Sequence, residues 1–171
     1  DLPADLRPAK VPSELCNLLN RDPKSPFYKL IRRMSDEDTN TSAVIVDTAL
    51  INTMKQSINN YGALALYKNT TADGYADVEG MYRVMCVYWS AVKKVFPESW
   101  GLRPQESRLM HSAGIQAMGI LMDRIMSRMH QTTNVSEEVE MCLRRIAPYC
   151  SWTDGTWEGL GLRWNEIQNL P

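Results

Sequence analysis

Apolar positions along this chain recur mostly at helical spacing. Between residues 77 and 96, Val78, Tyr82, Met85, Trp89, Val92 and Phe96 fall at alternating steps of four and three. Such steps return to nearly the same side of a 3.6-residue turn, so they draw one continuous seam along a long helix. A second long helix is expected at or just after Pro104, since proline is tolerated in a first turn whose amide protons lack partners anyway. Its apolar set includes Leu109, Ala113, Ala117, Ile120, Leu121 and Ile125. Gly114 and Gly119 fall in its interior, where each costs about 1 kcal/mol against alanine. Close approach of another backbone is the usual reason to tolerate that cost, so tight packing is predicted there.

Shorter elements follow from the same patterning. Residues 11–20 read as a helix opened by Pro12 and Ser13, with Leu15, Leu18 and Leu19 inward. Asp47 can cap a helix over residues 48–61, with Leu50, Ile51, Met54 and Ile58 on one side and Gly62 as its stop. Asn134 and Glu137 have capping-box spacing and open a helix over 135–147, with Val139, Leu143 and Ile146 inward and Pro148 at its end. The first ten residues read as an extended lead-in, 21–26 as a turn, and 35–42 and 62–74 as connections. Residues 27–34 fit a strand or a helical turn equally, and 43–46 a brief strand. Past Tyr149, Trp152, Trp157 and Trp164 stand among glycines, giving an irregular tail with one helical turn from Trp164. No internal repeat is visible. The fold expected is all-α: one domain over residues 1–171, a compact helical bundle with two long central helices and a Trp-rich irregular tail.

Composition narrows the function. A chain of 171 residues, 44% of them apolar, can bury one real core. Nineteen basic against twenty acidic side chains leave a net charge of −1. This removes any whole-chain electrostatic case for nucleic acid or membrane, so a binding surface has to be a local patch. Apolar windows such as residues 113–122 are too short for a membrane span, and no membrane contact is expected. The N-terminus has neither a hydrophobic signal core nor an initiator Met and reads as the cut end of a longer protein. Cys16, Cys86, Cys142 and Cys150 are scattered without a CxxC pair, and His111 and His130 are not spaced as ligands. No metal or cofactor is expected, and reduced thiols fit a cytoplasmic setting. Sequons at Asn40, Asn69 and Asn134 are what remains of a secreted reading.

Candidate chemistry is sparse. His111 has no visible nucleophile or orienting partner and reads as structural, while His130 at a helix end complements the carboxyl-end dipole. The acids at 36–38, and Glu137, Glu138 and Glu140, read as solvated. There is no phosphate loop, GxSxG or HExxH, so no catalytic residue is assigned. The best local patch is basic: Arg21, Lys24, Lys29, Arg32 and Arg33, interleaved with Phe27 and Tyr28. Cations suit phosphates and exposed rings stack on bases, so Lys24, Lys29, Arg32 and Arg33 are the candidate nucleic-acid contacts. The plainer reading makes Phe27 and Tyr28 core anchors and the cations solvated. Met110, Met118, Met122, Met126 and Met129 in one helix are core packing or, where exposed, a dimer or partner face.

Several segments in order resemble the C-terminal helical half of the DGQHR-domain family, which includes DndB-like proteins of bacterial DNA-modification systems. They are the run Leu19-Asn20-Arg21-Asp22-Pro23-Lys24-Ser25-Pro26-Phe27-Tyr28, then Tyr88-Trp89-Ser90-Ala91-Val92 with Phe96-Pro97 and Trp100. The stretch from Leu109 through Gly114-Ile115-Gln116-Ala117 follows, and then Trp164-Asn165 with Gln168-Asn169. The resemblance implies a larger protein with a ParB-like amino-terminal domain carrying the Asp-Gly-Gln-His-Arg motif, acting in DNA modification or phage defence. That motif is absent from this sequence, so no catalytic role transfers to a residue of this chain. The expectation is a non-catalytic helical module contributing DNA or protein contacts, its partners DNA, itself or other proteins of a modification system. The alternatives are an interaction or oligomerisation module without DNA binding, and part of a nuclease or nucleotide hydrolase whose active domain lies elsewhere.

Overall fold

The computed structural model describes residues 7–33, 42–71, 74–129 and 131–168. The chain is mostly helical. In order it runs α1 (Arg7–Arg21), β1 (Ile31–Arg32), β2 (Ile45–Val46), α2 (Asp47–Asn59), α3 (Val78–Val95), α4 (Ser112–Met126), α5 (Val135–Ile146), β3 (Thr156–Trp157) and β4 (Leu162–Arg163). The strands are two-residue pairings, β1 with β2 in parallel and β3 with β4 antiparallel. Helix α2 packs on α4, α3 packs on α5, and α1 touches both α2 and α3. No helix among the described residues is long and apolar enough to cross a membrane.

Helix α3 follows its sequence closely. The Asp77 carboxylate accepts from the Gly80 amide at 2.8 Å, and Lys93 and Lys94 sit in the last turn, where cations complement the dipole. Along its seam Met85, Trp89, Val92 and Phe96 are buried and Val78 and Tyr82 half-buried. Trp89 meets Phe27 at 5.2 Å between ring centroids, and Phe27 meets Trp100 at 5.4 Å, which brings the turn after α1 into the core.

Other boundaries differ from expectation. Helix α1 starts at Arg7, with Pro8 in its first turn and Pro12 in its interior. Its start is therefore the earlier proline, and residues 7–10 belong to the helix. Residues 1–6, residues 35–41 and His130 lie outside the described residues. Asp47 is the first residue of α2, not its cap; the cap position is Val46, with no side-chain bond. Helix α4 begins at Ser112, because residues 103–111 form successive turns that nonetheless bury Leu109 and Met110. At 15 residues it matches α1 and falls short of the 18 of α3.

The buried face of α4 is also rotated from the one expected. It carries Ala113, Gly114, Ile115, Met118, Gly119, Met122 and Ile125, while Ala117 and Ile120 are exposed. Met110, Met118 and Met122 are core and Met126 and Met129 half-buried, so this stripe is mainly packing. Both glycines are close-packed as predicted. A Cβ on Gly114 would run into the Arg108 carbonyl, and one on Gly119 into the Thr53 methyl. One turn further along the face that meets α2, the Asp123 carboxylate accepts from Ser57 Oγ at 2.6 Å and from the Ala63 amide at 2.9 Å, tying α4 to the end of α2.

The tail is irregular but anchored. The Arg108 amide donates to the Trp152 carbonyl at 2.7 Å, and Arg108 Nε to the Ile167 carbonyl at 3.0 Å. Trp152 is buried edge-on against Phe96. Residues 164–166 form a turn.

Candidate nucleic-acid interface

The basic segment starts where α1 stops. Asn20 clamps it: its side-chain oxygen accepts from the Ile31 amide at 3.0 Å and its Nδ2 donates to the Ile31 carbonyl at 3.1 Å. The Lys29 amide donates to the Asn20 carbonyl at 3.0 Å, capping the carboxyl end of α1. Within the turn Ser25 Oγ accepts from the Phe27 amide at 3.1 Å. Chain positions eleven residues apart are thus held together by one asparagine.

Arg21, Lys24, Lys29 and Arg32 are exposed. Lys29 takes a left-handed backbone conformation, φ +58°, which L-residues with a side chain adopt only at a cost. Its Nζ lies 5.1 Å from the centroid of the exposed Tyr28 ring, a cation–π placement. Phe27 is fully buried, so only one of the two neighbouring rings is a core anchor. Arg32 Nη2 donates to the Ala43 carbonyl at 3.4 Å.

Arg33 is placed apart from the other three candidates. Its side chain is 12% exposed and its Nη1 lies 3.7 Å from Asp47 Oδ2, while Nη2 donates to Ser13 Oγ at 3.1 Å. This guanidinium faces inward, between α1 and the start of α2. Its partner Asp47 is thereby drawn away from capping. Cys16 beside it has its thiol pushed up to about 11 by burial, against the opposing pull of Arg33.

Asp22 is the one acid between Asn20 and Arg33 and is turned toward α3. Its Oδ2 accepts from the Tyr82 hydroxyl at 2.6 Å and its Oδ1 from the Lys24 amide at 2.9 Å. The Tyr82 bond, then the Lys24 amide, hold the Asp22 carboxyl below the usual range. Burial, and then the Asp22 bond, push the Tyr82 phenol upward. This acid braces the turn that carries Lys24. Neither the Asn20 clamp nor the Tyr82–Asp22 bond has a sequence signal beyond the polar residues at a helix end, since the first partner stands eleven residues on and the second sixty.

His111 caps α4, its Nδ1 accepting from the Ala113 amide at 3.2 Å. Burial, then the Arg108 charge, hold its pKa below the ordinary imidazole value. Among the described residues no group of three His, Cys, Asp or Glu is placed to hold a metal ion. Cys16, Cys86, Cys142 and Cys150 are free thiols. Glu140 accepts from Lys94 at 2.6 Å and from Arg144 at 2.8 Å, an exposed ion cluster. Comparison with protein-family models, with curated proteins and with solved structures finds no match for the chain.

Proposed function

We propose that this chain is a non-catalytic helical bundle module of a DGQHR/DndB-like protein, linked to bacterial DNA modification or phage defence, that contacts the DNA backbone. The observation carrying this reading is the clamped basic turn. Five basic residues stand against one acid from Asn20 to Arg33, and that acid is engaged by Tyr82. Lys24, Lys29 and Arg32 are exposed, Lys29 lies over the Tyr28 ring, and Arg21 precedes them in the chain. Phosphate contact is a task for exposed flexible cations, and a neighbouring exposed ring adds a stacking surface. The strained backbone at Lys29 fits a side chain whose position matters. Arg33 supports the turn from inside, against Ser13 and Asp47, and does not reach phosphate in this reading.

Duplex binding measured by fluorescence anisotropy across a salt series tests the proposal. Replacing Lys24, Lys29 and Arg32 together by alanine should weaken binding and lower the salt slope by roughly 2 to 3, about 0.9 for each lost phosphate contact. Alanine at the exposed Lys55 and Lys68, outside the turn, should leave the slope unchanged. An unaltered slope in the triple variant would dismiss the patch.

A further inference from the structure

The tail builds a second surface that the basic turn does not use. Pro148, Tyr149, Trp157, Glu158, Gly159 and Gly161 line a groove of about 400 Å³ between the turn after α5 and the β3–β4 hairpin. We propose that this groove binds an extended, proline-containing peptide segment carrying a basic side chain.

Three observations carry the assignment. The groove is held ready by the core: Phe96 meets Trp152 edge-on at 6.1 Å, and Trp152 meets Trp157 edge-on at 4.9 Å. Ser151 Oγ donates to the Thr156 carbonyl at 3.1 Å, and the Trp164 amide to the Gly155 carbonyl at 3.0 Å, bracing the hairpin. A ligand therefore pays little for ordering this wall, which is the usual advantage of a preformed site. The rings are also available, with Tyr149 66% exposed beside Pro148 and Trp157 half-buried. Aromatic side chains lining a groove suit a polyproline II segment, whose backbone has no internal hydrogen bonds. Gly159 and Gly161, at φ +82° and +66°, have open space where a Cβ would stand, so no neighbouring group closes that side.

Charge selects the partner. Glu158 is the one charged side chain among the residues lining the groove, and it is exposed. Its negative charge favours a cationic side chain, which the ring faces also attract. It opposes phosphates, so the groove is not an extension of the basic turn.

A ten-residue peptide of prolines with two arginines serves as the probe, titrated by calorimetry and by tryptophan fluorescence. Saturable binding is expected, weakened about tenfold by Tyr149→Ala, the scale of a modest hot spot. Glu158→Gln should weaken it roughly threefold, in keeping with an exposed charge pair, and that difference should vanish at high salt. Both side chains are exposed, and unchanged thermal midpoints would show the fold intact. No saturation, or equal affinity when glutamates replace the arginines, overturns the proposal. So does binding indifferent to Tyr149→Ala, or oligothymidylate that takes the groove as well as the peptide does.

Discussion

Gly119 meets the methyl of Thr53 across the contact between α4 and α2, and that methyl cannot turn aside freely. Thr53 Oγ1 donates to the Ala49 carbonyl at 2.9 Å and the residue is buried, so its rotamer is fixed. Alanine at 119 would gain about 1 kcal/mol of helix propensity but force an overpacked contact costing about 1–3 kcal/mol. A net loss of stability is expected for Gly119→Ala in urea unfolding. Adding Thr53→Ser removes the obstructing methyl and keeps the hydroxyl, so the double variant should recover most of the loss. Gly114→Ala should be more damaging, because its obstacle is the Arg108 main-chain carbonyl, which no side-chain change relieves. A double variant no more stable than Gly119→Ala would show that Thr53 is not the reason for the glycine.

Elements show which parts of this fold were legible in the sequence. The seam of α3 was readable because its period is regular and a good capping residue precedes it. The start of α4 was misplaced because Pro104 permits a first turn without requiring one, and the cap that does form uses an imidazole nitrogen. Asp47 looked like a cap, but Arg33 competes for its carboxylate, and that pairing cannot be read from spacing. The cations of the basic turn were visible; the Asn20 clamp and the inward turn of Arg33 were not. His111 gives this level its prediction. Neutral Nδ1 accepts from the Ala113 amide, and a proton placed there abolishes the acceptor and adds positive charge at a helix amino end. The folded pKa lies below the unfolded one, so the unfolded chain binds the proton more readily. Stability from this cap is therefore complete above about pH 6.5 and declines as pH falls from there toward the folded value. His111→Asn keeps an acceptor without the titration and should flatten this part of the pH profile, with a shift of about 1 kcal/mol at most. A profile unchanged by His111→Asn would remove the imidazole as its source.

At the scale of the whole molecule, α1 is the element whose loss should be felt everywhere, because it touches both α2 and α3. Leu15, Cys16 and Leu19 are fully buried, and the turn after α1 delivers Phe27 onto Trp89 and Trp100. A helix placed this way cannot leave without opening both halves of the core, so its release should coincide with global unfolding rather than precede it. Cys16 reports on this directly. Its thiol is inaccessible and pushed up to about 11, so at pH 8 only roughly one native molecule in a thousand would carry the reactive thiolate even if reagent could enter. Cys142 is half-buried on α5 and gives an internal comparison. Pulse alkylation along a urea gradient, read by mass spectrometry, should label Cys142 under native conditions well before Cys16. Labelling of Cys16 should rise at the same urea concentration at which helical circular dichroism is lost. If Cys16 is labelled at a distinctly lower concentration, α1 detaches as a separate unit and the core is not shared as its contacts imply.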